Sequence, residues 1–121
     1  MKQETANGSL PENAHADAAA AFVDRARSQY GDRITDLYVF GSTVRGEATG
    51  RSSDVDVLVV LSDRPERAAT ADSLRDIAYD VMLEYGPLVE LHILDEHTFE
   101  RQQQEGNPFV QNVLKEGRAY V

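Results

Sequence analysis

Cysteine is absent from all 121 residues, which removes disulfides, zinc–thiolate sites and thiol nucleophiles together. Stability therefore rests on packing, and any metal must be held by oxygen or imidazole, a donor set that favours a hard cation. Long apolar runs are missing too. None approaches the roughly 18 to 20 residues needed to span a bilayer, and Met1-Lys2-Gln3-Glu4-Thr5 lacks the apolar core of a signal peptide. No membrane association is expected, and the expected location is the cytoplasm. Lysine is reduced to Lys2 and Lys115, and 12 basic residues face 21 acidic ones, a formal net charge of -9. Repulsion from phosphate backbones then argues against direct nucleic-acid binding. An acidic, lysine-poor, alanine-rich composition also resembles that of proteins from high-salt cytoplasms, a pattern a short chain can equally reach by chance.

The length suits one ordinary domain and leaves little for a second. Residues 1–11 are polar, contain Gly8 and Pro11 and show no apolar periodicity, so a loose leader is expected there, followed by a single domain over 12–121. From Asn13, the residues Ala18, Phe22, Ala26 and Tyr30 recur every fourth position with Val23 beside them, the stripe of an amphipathic helix stopped by Gly31. Ile34 to Phe40 is short, apolar and aromatic-rich and reads as a strand running into a tight turn at Gly41-Ser42. Gly46, Gly50, Ser52 and Ser53 mark a loop or broken helical turn. Val55 to Leu61 is nearly continuous Val and Leu, the pattern of a central strand covered on both faces.

Leu74, Ile77, Ala78, Val81, Met82 and Tyr85 make a second helical stripe that starts between Pro65 and Thr70 and ends at Gly86-Pro87. Leu88 to Leu94 is a third strand, and Asp95 to Gln104 suits a short helix. Asn107-Pro108 reads as the cap and first residue of a last helix closed by Gly117, with Arg118 to Val121 docking as a terminal strand. The expected class is α/β or α+β, a small mixed β-sheet flanked by helices.

Asp54 and Asp56 lie two apart at the entrance of the Val-rich strand, so their carboxylates leave one face close enough to share a cation. Like charges at that distance need compensation, which a divalent metal supplies. An isolated D-x-D is as often a solvated strand entrance. Here the buried strand behind the pair holds it at the rim of the core. An EF-hand is a poor alternative, because the loop glycine and the twelfth-position Glu are missing. Gly41-Ser42 would aim backbone N–H groups and a hydroxyl at an anion, although Gly-Ser is a common loop dipeptide. Arg45 has the planar fork that suits phosphate, or is an ordinary solvated arginine near Glu47; Arg51 is a weaker second helper.

Glu90 interrupts the apolar run Leu88-Val89-Glu90-Leu91-His92-Ile93-Leu94. A core strand rarely accepts a lone carboxylate unless it is paired or metal-bound, whereas a solvent-facing edge strand accepts one readily. Alternation places Glu90 and His92 on one face, opposite Val89 and Leu91. His92 is read as a half-exposed strand histidine, and His15 and His97 fall on helices without metal spacing. No Ser–His–Asp or Cys–His arrangement is present, and Gly41-Ser42-Thr43-Val44-Arg45-Gly46 lacks the length and lysine of a P-loop.

In combination, Gly41-Ser42-Thr43-Val44-Arg45-Gly46-Glu47-Ala48 and Ser53-Asp54-Val55-Asp56-Val57-Leu58-Val59 resemble the signature of the minimal nucleotidyltransferases of the DNA-polymerase-β-like superfamily. The resemblance runs from about Ile34 to Leu94 and extends to the ending Asn107-Pro108-Phe109 to Leu114-Lys115-Glu116-Gly117. It implies that Gly41, Ser42 and Arg45 hold the triphosphate of ATP and that Asp54 and Asp56 bind Mg2+. Glu90 is then the third carboxylate, completing the metal site or taking the proton of an attacking hydroxyl. The third position is more often Asp in that family, so Glu90 reaches one methylene further. Small stand-alone members resemble the antitoxin of paired systems, which transfers AMP from ATP to a tyrosine of a helical HEPN ribonuclease toxin. Two other outcomes stay open: an antitoxin that neutralises by binding alone, and a small-molecule nucleotidyltransferase completed by dimerisation.

Overall fold

The computed structural model describes residues 13–45 and 54–120. The expected leader at 1–11 and the loop carrying Gly46, Gly50, Arg51, Ser52 and Ser53 lie outside the described residues. Helix α1 (Ala14–Tyr30) buries Ala18, Phe22, Val23 and Ala26, the stripe set by the fourfold spacing. The helix ends at Tyr30 with Gly31 as its cap, as expected, although Gly31 is not left-handed. It takes φ -57 and ψ -34, and the chain continues through a 3-10 turn over Gly31–Arg33. Strand β1 (Ile34–Phe40) then leads into the short helix α2 (Ser42–Arg45), and β2 spans Val55–Leu61.

Helix α3 (Arg67–Tyr85) ends at Gly86, whose φ of 107 only glycine adopts without strain. Strand β3 (Val89–Asp95) starts one residue later than expected, while the Leu88 carbonyl still accepts a bond of 2.8 Å from the Val55 N–H. Helices α4 (Glu96–Gln104) and α5 (Pro108–Glu116) follow, each capped by a side chain. Asp95 accepts from the Thr98 N–H and Asn107 from the Val110 N–H, which satisfies one otherwise unpaired donor at each helix start. Strand β4 (Arg118–Ala119) closes the described chain.

The strands form a four-stranded mixed sheet in the order β3-β2-β1-β4. Strand β1 is antiparallel to both β2 and β4, and β2 is parallel to β3. A parallel pair needs a long crossover, and the 19-residue α3 supplies it. Odd-numbered residues of β2 face α1 and α3: Val55, Val57, Val59 and Leu61 pack with Phe22, Leu74 and Val81. The other face carries Leu58 and Val60, which pack with Phe40, Phe99, Val110 and Val113 under α4 and α5. Strand β2 is thus covered on both sides, as its unbroken Val and Leu run requires. The architecture is mixed α+β, a sheet flanked by helices.

This topology decides where the polar residues meet. Antiparallel β1 ends where β2 begins, and parallel β3 begins there too. The turn at Gly41, the acidic entrance of β2 and the first residues of β3 therefore converge at one end of the sheet.

Candidate active site

Asp56 is the second residue of β2 and stands in register between Phe40 of β1 and Glu90 of β3. Neighbouring strands run about 4.8 Å apart, so this pairing brings the Asp56 and Glu90 carboxylates together on the even-numbered face. Asp54 precedes β2 by one residue and is partly buried, as Asp56 is, whereas Glu90 is exposed. Strand β3 is an edge of the sheet, which is why a charge at position 90 is tolerated without deep burial.

The carboxylates sense one another. Asp56 is pushed above the ordinary carboxylate value by burial and then by the Glu90 charge, with a hydrogen bond to Glu90 and the Asp54 charge acting in the same direction and His92 opposing. Asp54 is raised by burial, by the Glu90 charge and by a hydrogen bond to Glu90, while His15 pulls it back down. Two aspartates whose proton affinity is raised by burial and by the neighbouring Glu90 charge form a site in want of positive charge.

One donor atom each from Asp56, Glu90 and His92 lies within 4.8 Å of the other two. His92 Nε2 stands 3.9 Å from Glu90 Oε2. This donor set differs from the expected Asp54, Asp56 and Glu90. His92, read from sequence as an ordinary strand histidine, is in the cluster, and Asp54 couples to it through Glu90. The alternation that put Glu90 and His92 on one face was the available signal. What it lacked was the parallel register that sets this face beside Asp56. The mixed oxygen and imidazole donors fit a divalent cation, whose charge would offset the crowding of the carboxylates. His15 also approaches the site: it is buried at the start of α1, and its charge acts on Asp54.

Gly41 supports the cluster from β1. Its φ is +81, and a Cβ there would collide with the Asp56 carboxylate. The backbone of the turn therefore lies directly against an acidic side chain, which only glycine permits. The Gly41 carbonyl accepts from the Val44 N–H at 3.2 Å, so α2 opens immediately after the turn. The Ser42 and Thr43 N–H groups precede this bond at the start of α2. Ser42 is partly buried. The Arg45 side chain, expected to hold phosphate, lies outside the described residues.

An aromatic wall lines the same face. The rings of Phe40, His92 and Phe109 pack mutually, with centroids 5.7 Å apart for Phe40 and His92, 5.1 Å for His92 and Phe109, and 5.5 Å for Phe40 and Phe109. Phe109 comes from the first turn of α5, a contribution with no signal in the motif spacing. A separate open groove of about 1100 Å3, lined by Ala19, Val23, Val44 and Tyr120 among others, contains none of Asp54, Asp56 and Glu90.

Comparison with known proteins places the chain in a family. Residues 20–121 match the family described as "Nucleotidyltransferase domain". A Methanocaldococcus jannaschii protein named "Putative protein adenylyltransferase MJ0604" is 32% identical over 101 residues, covering 84% of this chain and 92% of that protein. A second protein of that organism, MJ1305, carries the same description and is 35% identical over 66 residues, 54% of this chain and 44% of its own length. The crystal structure of a "putative nucleotidyltransferase" from Sulfolobus solfataricus aligns with a TM-score of 0.45 at 22% identity, covering 74% of this chain and 75% of that one. With a family match across most of its length and an acidic cluster under a glycine turn, the protein belongs to the nucleotidyltransferase domain family and is a nucleotidyltransferase.

Proposed function

We propose that the protein transfers AMP from ATP, with Mg2+ or a similar divalent cation, to a hydroxyl group of a partner protein. By its resemblance to small paired-system members, that hydroxyl is a tyrosine of a HEPN ribonuclease toxin, which makes this chain the antitoxin. The observation that carries the transfer chemistry is the register pair Asp56–Glu90 lying beside the backbone of the Gly41 turn. The name protein adenylyltransferase, shared by both Methanocaldococcus relatives, supports a protein acceptor. So does the net charge of -9, which disfavours nucleic acid and suits the basic surface of an RNA-cleaving partner.

In this reading the N–H groups opening α2 and the Ser42 hydroxyl bind the phosphates of ATP, with Arg45 steadying the outer two. Asp54, Asp56 and Glu90 hold the cation, which when bound offsets the charge that develops at the α-phosphate. The acceptor oxygen forms a bond to the α-phosphorus, the bond from that phosphorus to the bridging oxygen breaks, and pyrophosphate leaves. The acceptor proton passes to solvent while Glu90, the most exposed of the three acids, is bound to the cation; a Glu90 carboxylate left off the cation takes that proton itself. Phe40 and Phe109 wall this end of the sheet and limit the water that competes with the acceptor.

Incubating the protein with ATP labelled at the α-phosphate, Mg2+ and the co-encoded partner is expected to label the partner. Asp56→Asn should reduce labelling at least about a hundredfold, the scale on which a lost electrostatic group acts in a transition state. Equal labelling by wild type and Asp56→Asn would reject transfer at this site. Full protection against the toxin by a double Asp54→Ala/Asp56→Ala variant would instead identify neutralisation by occlusion.

A further inference from the structure

The three carboxylates account for the cation site in the proposed function, but the donor set that the described residues bring within 4.8 Å of one another is different in kind. It contains one nitrogen. We infer that His92 is a ligand of the same cation, and that its imidazole makes the site prefer a first-row transition cation such as Mn2+ over Mg2+. This rests on the cation site of the proposed function and adds to it a ligand and a metal preference.

Geometry is the first support. The donor atoms of Asp56, Glu90 and His92 lie within 4.8 Å of one another, and His92 Nε2 is 3.9 Å from Glu90 Oε2. Adjacent ligands on an octahedral cation with bonds of about 2.1 Å lie about 3 Å apart, and opposed ones about 4.2 Å. Side-chain rotations of an ångström or so close the set around one ion without moving the strands.

The second support is how the ring is held. His92 packs between Phe40 and Phe109 with both centroids within 5.7 Å, and its side chain is 34% exposed. Phe40 is buried in the cluster under α5. A ring fixed by packing, with one nitrogen turned to a carboxylate, loses little freedom on binding a metal.

Chemistry sets the consequence. Mg2+ is hard, sheds water reluctantly and seeks oxygen ligands. Imidazole nitrogen binds first-row transition cations more strongly. Adding Nε2 to the carboxylate oxygens therefore favours Mn2+ over Mg2+.

The test compares wild type, His92→Phe and Asp56→Asn, titrated by calorimetry with MnCl2 and with MgCl2 in the absence of nucleotide. The bound Mn2+ is also examined by electron spin-echo spectroscopy for coupling to 14N. Phenylalanine keeps a ring against Phe40 and Phe109 and removes only the nitrogen, and circular dichroism checks that the fold is retained. Wild type is expected to bind Mn2+ at least about tenfold more tightly than Mg2+ and to show the 14N coupling. His92→Phe should lose about tenfold in Mn2+ affinity, change Mg2+ affinity less than about twofold and abolish the coupling. Persistence of the coupling, or an equal loss for both metals in His92→Phe, overturns the ligand role of His92 and leaves the carboxylate site standing. Binding of both cations that survives Asp56→Asn overturns the site itself, and with it the proposed function.

Discussion

Any residue other than glycine at position 41 adds at least a Cβ, and the site has no room for it. With φ at +81 and the Asp56 carboxylate where a Cβ would stand, Gly41→Ala must displace either the turn or the acid. The expected cost is about 1 to 3 kcal/mol of stability, together with loss of cation binding, measured by urea unfolding and calorimetry. Gly31 provides the contrast: its φ is -57 and nothing lies within 4 Å of a built Cβ. Gly31→Ala should be neutral or stabilise by up to about 1 kcal/mol, because alanine restricts only the unfolded chain. Asp56 behaves oppositely to Gly41. Burial and the Glu90 charge raise its proton affinity, so its ionised form is less favourable in the folded chain than in the unfolded one. Asp56→Asn should therefore unfold at higher urea than wild type when divalent cations are absent, while abolishing transfer. A lower midpoint would show that the carboxylate supports the fold.

At the scale of elements, Asp95 joins the strand that carries the site to the helix that covers it. It is the last residue of β3 and the cap of α4, with Oδ1 accepting from the Thr98 N–H at 2.7 Å and Oδ2 from the Thr98 hydroxyl at 3.0 Å. The backbone bond from Thr98 leads the influences that hold the Asp95 carboxyl below its ordinary range. A carboxylate depressed on folding contributes stability that is present above its unfolded value and is lost as pH falls through its folded one. Asp95→Ala should cost about 1 kcal/mol near neutral pH. The gap between variant and wild type should narrow as the pH drops below about 4. A gap independent of pH would show that the ionised carboxylate is not the source of the cap's strength.

Across the whole molecule, charge of one sign dominates. Against a net charge of -9, several arginines are engaged in surface pairs, among them Arg25 with Glu84 at 2.7 Å and Arg75 with Asp72 at 2.9 Å. Exposed pairs of this kind contribute little and weaken in salt, whereas the self-repulsion of the surplus acid is relieved by salt. The melting midpoint is therefore expected to rise by several degrees as KCl is increased into the molar range. A flat or falling midpoint would count against a surface adapted to high salt. No helix among the described residues is long and apolar enough to cross a membrane.

Periodicity is local, and what it controls was legible without coordinates. The fourfold spacing of Ala18, Phe22 and Ala26, the unbroken run Val55 to Leu61 and the Asn107-Pro108 start are each satisfied within one element, so α1, β2 and α5 appear where the residues place them. The period of two likewise puts Asp56 on the face opposite Val55 and Val57, the residues that pack toward α1 and α3. Neither fact fixes which strands are neighbours. That Glu90 stands beside Asp56 depends on β2 and β3 being parallel and in register, a result of the α3 crossover and of the packing of two sheet faces. His92 and Phe109 reach the site for the same reason: one by register and the other by the docking of α5. The types of residue able to bind a phosphate and a cation were thus determined by the sequence alone, while the identity of the donors nearest one another was decided by tertiary structure, because pairing between distant strands is set by burial on both sheet faces and by no local pattern.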